Sequence, residues 1–193
     1  MGRQIIITND SNYLVTGVNN GFEDDNLSIK LDRDGNILWM SPNGGYAVTQ
    51  TYDNKYVFAG SNSPRSVLKK IDESGNLEWY KTYGLNEEYF AVIESSDSSI
   101  VSCGAEYYDG DSTFLVRKTD SDGNLIWTTR FFSMYHNGFR DVIEFDHHYY
   151  LVGRDYDDNY PPFYLFIAKV TMSGVPRWQK LYEIPGNMKS IAV

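Results

Sequence analysis

Carboxylates interleaved with tyrosines are the residues of this chain whose types and spacing point most directly to chemistry. They fall in three segments. "VNNGFEDDN" carries Glu23, Asp24 and Asp25. "AEYYDGDS" carries Glu106, Asp109 and Asp111 beside Tyr107 and Tyr108. "RDYDDNYPP" carries Asp155, Asp157 and Asp158 among Tyr156 and Tyr160. Placed on one face, they would form an acidic, Tyr-rich rim that attracts a cationic partner and speeds its encounter. The plain alternative is that acidic loops only keep the protein in solution. A further segment, "RFFSMYHNGFR" (130–140), offers Tyr135, His136 and Arg140, and aromatic side chains with Arg are common interface anchors. The ligand-binding candidates are therefore Asp24, Asp25, Tyr107, Tyr108, Asp109, Asp111, Tyr135, His136, Arg140, Asp157 and Asp158.

Catalysis would need paired acids. Glu94 and Glu144 stand at matching places in "VIES" and "VIEF", and two such carboxylates facing one cavity could work on a glycan. Asp155, Asp157 and Asn159 have the D-x-D-x-N start of a calcium loop, but Tyr160 replaces the Gly that the loop's turn requires and no Glu follows in place. His147 and His148 adjoin, yet the sequence shows no third ligand for a metal beside them. Cys103 shares its position with Thr16, Ala59 and Val152, all small or apolar, and is expected to be a buried packing thiol. No nucleophile-elbow, phosphate-loop or dinucleotide motif is present, and no cofactor is expected.

What must position these residues is a repeat. "LDRDGNILW" (31–39) returns as "IDESGNLEW" (71–79), "TDSDGNLIW" (119–127) and, degraded, "TMSGVPRW" (171–178). Gly35, Gly75, Gly123 and Gly174 align, and Trp39, Trp79, Trp127 and Trp178 follow four residues later, using all 4 Trp of the chain. A second phrase precedes each copy: "YLVTG", "YVFAG", "IVSCG" and "YLVG". A third precedes that: "IIITND", "AVTQTYDN", "AVIESSDS" and "DVIEFDHH". Each unit reads as four short strands joined by polar turns, and a unit of four strands in ~40–50 residues is the period of a β-propeller blade. The fold expected is all-β, a β-propeller of four-stranded antiparallel blades. Its four repeats span about 3–42, 43–85, 86–133 and 134–186, within one domain. Residues 187–193, "NMKSIAV", match the first strand of a further blade or an exchanged strand. The readings are an arc of a larger propeller completed by self-association or by missing sequence, exchange of the last strand with a neighbour, or its folding back onto its own ring. In each turn the Gly supplies a positive φ and the leading Asp caps the backbone. Ile37 and Trp39 are expected to fill the gap to the next blade.

The Asp…Gly-Asn-x-x-Trp signature, with its aromatic–aliphatic–Gly strand, resembles the quinoprotein-like (PQQ-like) β-propeller repeats of bacterial proteins. The resemblance covers four copies, essentially the whole chain. It implies the fold; function lives in sites grafted on folds. The quinoprotein enzymes of that group have eight blades and an adjacent-cysteine disulfide, which a chain with 1 Cys lacks, so no quinone-binding residue is carried over.

Composition narrows the partners. A net charge of −9 with no basic stripe argues against nucleic acid and anionic membranes. No apolar run is long enough to span a bilayer. "MGRQIIITND" is too short and polar for a signal peptide, and a lone Cys suits a reducing compartment, so a cytoplasmic protein is expected, with secretion open if the chain is trimmed. The function expected is a non-enzymatic binding or scaffold module that recognises a protein, peptide or other ligand on its acidic rim; the alternative is a carboxylate enzyme such as a glycan hydrolase or lyase.

Overall fold

The computed structural model describes residues 2–18, 26–108, 111–132, 136–157 and 160–184. These form four antiparallel four-stranded sheets in chain order, with no helix among the described residues. Blade 1 holds β1 (Gly2–Ile7), β2 (Tyr13–Val18), β3 (Asn26–Leu31) and β4 (Ile37–Ser41). Blade 2 holds β5 (Ala47–Gln50), β6 (Tyr56–Asn62), β7 (Arg65–Ile71) and β8 (Leu77–Leu85). Blade 3 holds β9 (Glu87–Glu94), β10 (Ile100–Tyr108), β11 (Asp111–Thr119) and β12 (Leu125–Phe132). Blade 4 holds β13 (His136–Phe145), β14 (His148–Asp157), β15 (Tyr160–Thr171) and β16 (Pro176–Ile184). The segment 187–193, expected to begin a further blade, lies outside the described residues.

The repeated phrase is a turn, not a metal loop. Asp32 Oδ1 accepts from the backbone N–H groups of Asp34 (2.9 Å) and Asn36 (2.8 Å), and Asn36 Nδ2 donates to Asp32 Oδ2 at 2.9 Å. Asp72 and Asp120 repeat all three bonds. In the degraded copy the Thr171 hydroxyl accepts from Val175 N–H instead. Gly35, Gly75, Gly123 and Gly174 take φ between 77° and 87°, a region costly for any residue with a Cβ.

Blades pack through one device used three times. Trp39 of blade 1 lies over Gly75 of blade 2, Trp79 of blade 2 over Gly123 of blade 3, and Trp127 of blade 3 over Gly174 of blade 4. A methyl group at those glycines would meet the indole ring at 3.1, 3.2 and 2.7 Å. Trp39 and Trp127 also donate through Nε1 to the carbonyls of Glu73 (2.9 Å) and Met172 (3.0 Å). Three apolar cores fill these junctions, built on Leu14, Tyr56 and Phe58, then on Ala59, Tyr89 and Leu115, then on Val101, Tyr149 and Leu151. Ile37 departs from the expectation. A register shift between Lys30 and Leu31 sets it opposite Leu31 on the outermost strand, and it is exposed while Trp39 reaches the neighbour.

A second device ties the turn ends of the blades. The first turn of each blade donates a backbone N–H to a side chain on the next blade's first strand: Asn9 to Gln50 Oε1 (2.7 Å), Tyr52 to Glu94 Oε2 (2.6 Å) and Ser96 to Glu144 Oε2 (2.8 Å). Within each of the first three blades a lysine of the third strand reaches an Asp in the same turn: Lys30 to Asp10 (2.7 Å), Lys70 to Asp53 (3.0 Å) and Lys118 to Asp97 (2.7 Å). Blade 4 differs. Its first turn is a two-residue hairpin, with positive φ at both Asp146 and His147, the geometry of a type I′ turn. Lys169, the matching lysine, instead lies over the Tyr150 ring at 5.0 Å.

Candidate functional site

The first strands of all four blades line one groove of about 660 Å³. Its loop-side floor is a row of four side chains at one register, one from each blade. The Arg3 guanidinium sits 4.7 Å from the Tyr46 ring centre, and Tyr46 lies nearly parallel to Phe90 with centres 6.4 Å apart. The Arg140 guanidinium lies over the Phe90 ring at 3.9 Å. Two cations thus bracket a pair of aromatic faces, an arrangement favoured by the negative face of each ring. β1 pairs its Gly2 end with Gly17, so this row opens toward the end of the blades that carries the second-to-third-strand loops. Arg140 was a candidate from sequence; Arg3, Tyr46 and Phe90 were not. Their signal was present, since Tyr46 and Phe90 both immediately precede an Ala-Val pair in "YAVT" and "FAVI".

The same end carries the acidic loops. Tyr108 is exposed and its hydroxyl donates to Glu106 Oε1 at 2.6 Å; Tyr107 is half-buried and reaches Glu88. Asp111, His136 and Asp157 lie in strands, although their side chains are not among those described, and Asp24, Asp25, Asp109, Tyr135 and Asp158 lie outside the described residues. Two acids counted toward the rim do not belong to it. Glu106 is buried and ion-paired with Arg130 Nε. Its carboxyl is held below the usual range because hydrogen bonds from Arg130 and Tyr108 outweigh the opposing push of burial. Asp155 is buried as well, which removes it from any exposed calcium loop; Asn159 lies outside the described residues. Among the described residues, no group of three metal-ligating side chains occurs.

Glu106 belongs to a buried network that sequence reading missed. Glu87, fully enclosed at the blade 2–blade 3 junction, accepts from Arg117 Nη1 at 2.6 Å and Nη2 at 3.0 Å, and from Ser66 of blade 2 at 2.8 Å. Arg117 also donates to Tyr89, and Arg130 bridges Glu87 to Glu106. Burial is the first influence on Arg117 and favours its neutral form, but Tyr89 and Glu87 prevail and raise its pKa. These six groups fix the loop end of blade 3 against blade 2.

At the opposite end, Glu94 and Glu144 do line one groove, of about 620 Å³, with Tyr52 and His147. Burial pushes the Glu94 carboxyl up. Burial acts the same way on Glu144, but hydrogen bonds from Ser95 Oγ (2.6 Å) and from the Ser96 hydroxyl and N–H hold it down. Blade 2 has Gln50 at this position in the same role. Cys103 is buried within the blade 3–blade 4 core, and burial raises its thiol well above the ordinary range.

No family model matches this sequence, and no curated protein is similar to it in sequence. Solved structures are similar in fold. A protein of unknown function from Bacteroides caccae has a TM-score of 0.58 at 10% identity, over 94% of this chain and 67% of that one. A chain of the Drosophila Plexin A complex with Semaphorin 1b has a TM-score of 0.57 at 12% identity, over 96% and 43%. Virginiamycin B lyase from Staphylococcus aureus has a TM-score of 0.53 at 11% identity, over 96% and 70%. The chain thus spans between two fifths and about two thirds of the length of these structures. At such identities the likeness shows fold alone, and the fold is the β-propeller expected from the repeat.

Proposed function

We propose that this chain is a non-enzymatic propeller module that binds a protein or peptide at the loop-bearing end of its blades. The observation that carries the reading is the row Arg3–Tyr46–Phe90–Arg140, which puts two cations and two aromatic faces on the floor of a groove shared by all four blades. Arg and aromatic side chains in a recess are the residue types that dominate binding interfaces. Tyr107 and the exposed Tyr108 lie at the same end, and the chain's net charge of −9 favours basic segments. A ligand with basic flanks and a carboxylate or aromatic centre fits both zones. The blade pattern supports a place among quinoprotein-like repeats without their quinone site. Arrayed peptides of graded charge test the reading. Peptides retained by the native chain should lose about tenfold or more in signal with Arg140→Ala or Phe90→Ala, as for a binding hot spot. Equal retention by all three proteins would overturn it.

A carboxylate enzyme is the second reading, and one observation favours it. Glu94 and Glu144 share a groove and have pKa values moved in opposite directions, the pattern of an acid and its partner base. Virginiamycin B lyase shows that enzymes are found among the similar folds. Release of chromophore from a panel of aryl glycosides by the native chain, absent in Glu94→Gln and Glu144→Gln, would carry this reading. Gln50 already does the tying work in blade 2, so Gln at either position keeps the blades joined.

A further inference from the structure

Each junction needs a donor face carrying a Trp and a receiving face carrying a turn Gly. Among the described residues three junctions are occupied, and one half-junction remains on each outer blade. Trp178 of blade 4 is 38% exposed, and among the described residues its ring contacts are Tyr150 and Lys180 of its own blade. Gly35 of blade 1 has nothing within 4 Å of where a Cβ would stand, unlike its three counterparts. We infer that blade 4 of one chain docks on blade 1 of a second copy, repeating the internal junction head to tail.

The two open faces match each other in detail. Lys180 and Tyr182 occupy the positions of Lys81 and Tyr83 two and four residues beyond the Trp. At the blade 2–blade 3 junction Lys81 reaches Asn124 Oδ1 at 3.4 Å, and the Tyr83 hydroxyl donates to the Gly123 carbonyl at 2.8 Å. The same two bonds from Lys180 and Tyr182 would land on Asn36 and on the Gly35 carbonyl. Asp34, on that same exposed turn, adds charge complementarity to Lys180.

The turn end matches too, by a paired replacement. Inside the chain, Ser95 of one blade meets Glu144 of the next. Phe145 stands at the position of Ser95 in blade 4, and Ile7 at the position of Glu144 in blade 1. Both are apolar and open to solvent, at 68% and 73%. A polar contact inside the chain thus becomes an apolar contact between copies. A head-to-tail contact builds a ring when its rotation closes, and two four-blade arcs joined at both ends give about eight blades, within the range of closed propellers.

Light scattering after size exclusion tests this. The native chain should have twice the 22.2 kDa mass of one copy at concentrations up to about 0.1 mM, where even weak specific pairs associate. Trp178→Glu breaks every donor face and Ile7→Glu every receiving face, so each variant alone should have single-chain mass. Mixed, they should form a pair, because one intact face of each kind remains. A native chain of single-chain mass throughout would overturn the inference, as closure within the chain or capping by another segment would give. So would Ile7→Glu remaining paired, the mark of a blade 4–blade 4 contact, or a mixture that stays unpaired. Circular dichroism matching the native spectrum certifies that both variants are folded.

Discussion

The junction between blades 3 and 4 and the outer face of blade 4 carry the same residue, Trp, at the same phase of the same strand. Trp127 packs on Tyr149 with ring centres 6.0 Å apart and donates to Met172, whereas among the described residues Trp178 meets its own blade, at Tyr150. The sequence phrase is alike; the neighbour is not. A repeat unit buries half of its apolar surface only when another unit arrives, so stability in such a chain is built of units and of the interfaces between them. Among the described residues, the outer faces of blades 1 and 4 meet no further blade.

Substitutions can break or sharpen this contrast. The largest effect is expected for Glu87→Ala at the blade 2–blade 3 junction, which strands the buried Arg117 charge. Chemical denaturation should show a loss of about 3–5 kcal/mol. Next, Trp127→Ala should cost about 2–3 kcal/mol, and Trp178→Ala under about 1 kcal/mol in protein dilute enough to be single chains. Equal losses for the two tryptophans would erase the distinction drawn here. A finer comparison lies among the inner junctions. Trp79 Nε1 is buried with no hydrogen-bond partner, while Trp39 and Trp127 donate to carbonyls. Trp79→Phe should therefore be milder than Trp39→Phe by about 1 kcal/mol.

The smallest effect is a pH slope. Burial alone would raise the Asp97 carboxyl, but hydrogen bonds from Lys118 and Ser99 overcome it and bring its pKa to about 2. A carboxylate with a depressed folded pKa stabilises above its unfolded value, near 4, and the contribution fades as pH falls toward 2. Asp97→Asn should flatten the decline in melting temperature over that window and leave the melting curve above pH ~5 offset but parallel. In blade 4 the lysine matching Lys118, Lys169, lies over the Tyr150 ring instead.

Much of the frame was legible because it rests on local rules. A Gly at positive φ, an Asp capping a turn and a Trp at fixed phase recur in the sequence, and each recurs in space as read. The Lys30, Lys70 and Lys118 series and the Gln50, Glu94 and Glu144 series recur with equal regularity. Their meaning was not legible, because a side chain at constant phase could point to its own turn, to a neighbour or to solvent. The lysines turned out to reach their own turns, and the Gln and Glu side chains the neighbour's backbone. The acidic rim was read from charge alone, and burial withdrew Glu106 and Asp155 from it. The Glu87–Arg117–Arg130 network occurs once, at the loop end, where no repeat exists to reveal it.

The sequence by itself determined the unit: four strands, the turns that join them, and the Trp that each unit offers to the next. Those follow from backbone conformation and from alternation along a strand, which need only a few neighbouring residues. Tertiary structure alone decided which offered faces are taken, that Arg3, Tyr46, Phe90 and Arg140 fall in one row, and that Trp178 and Gly35 stay open. Those depend on residues ~40 or more positions apart meeting across a gap, and burial belongs to the pair of surfaces rather than to either one.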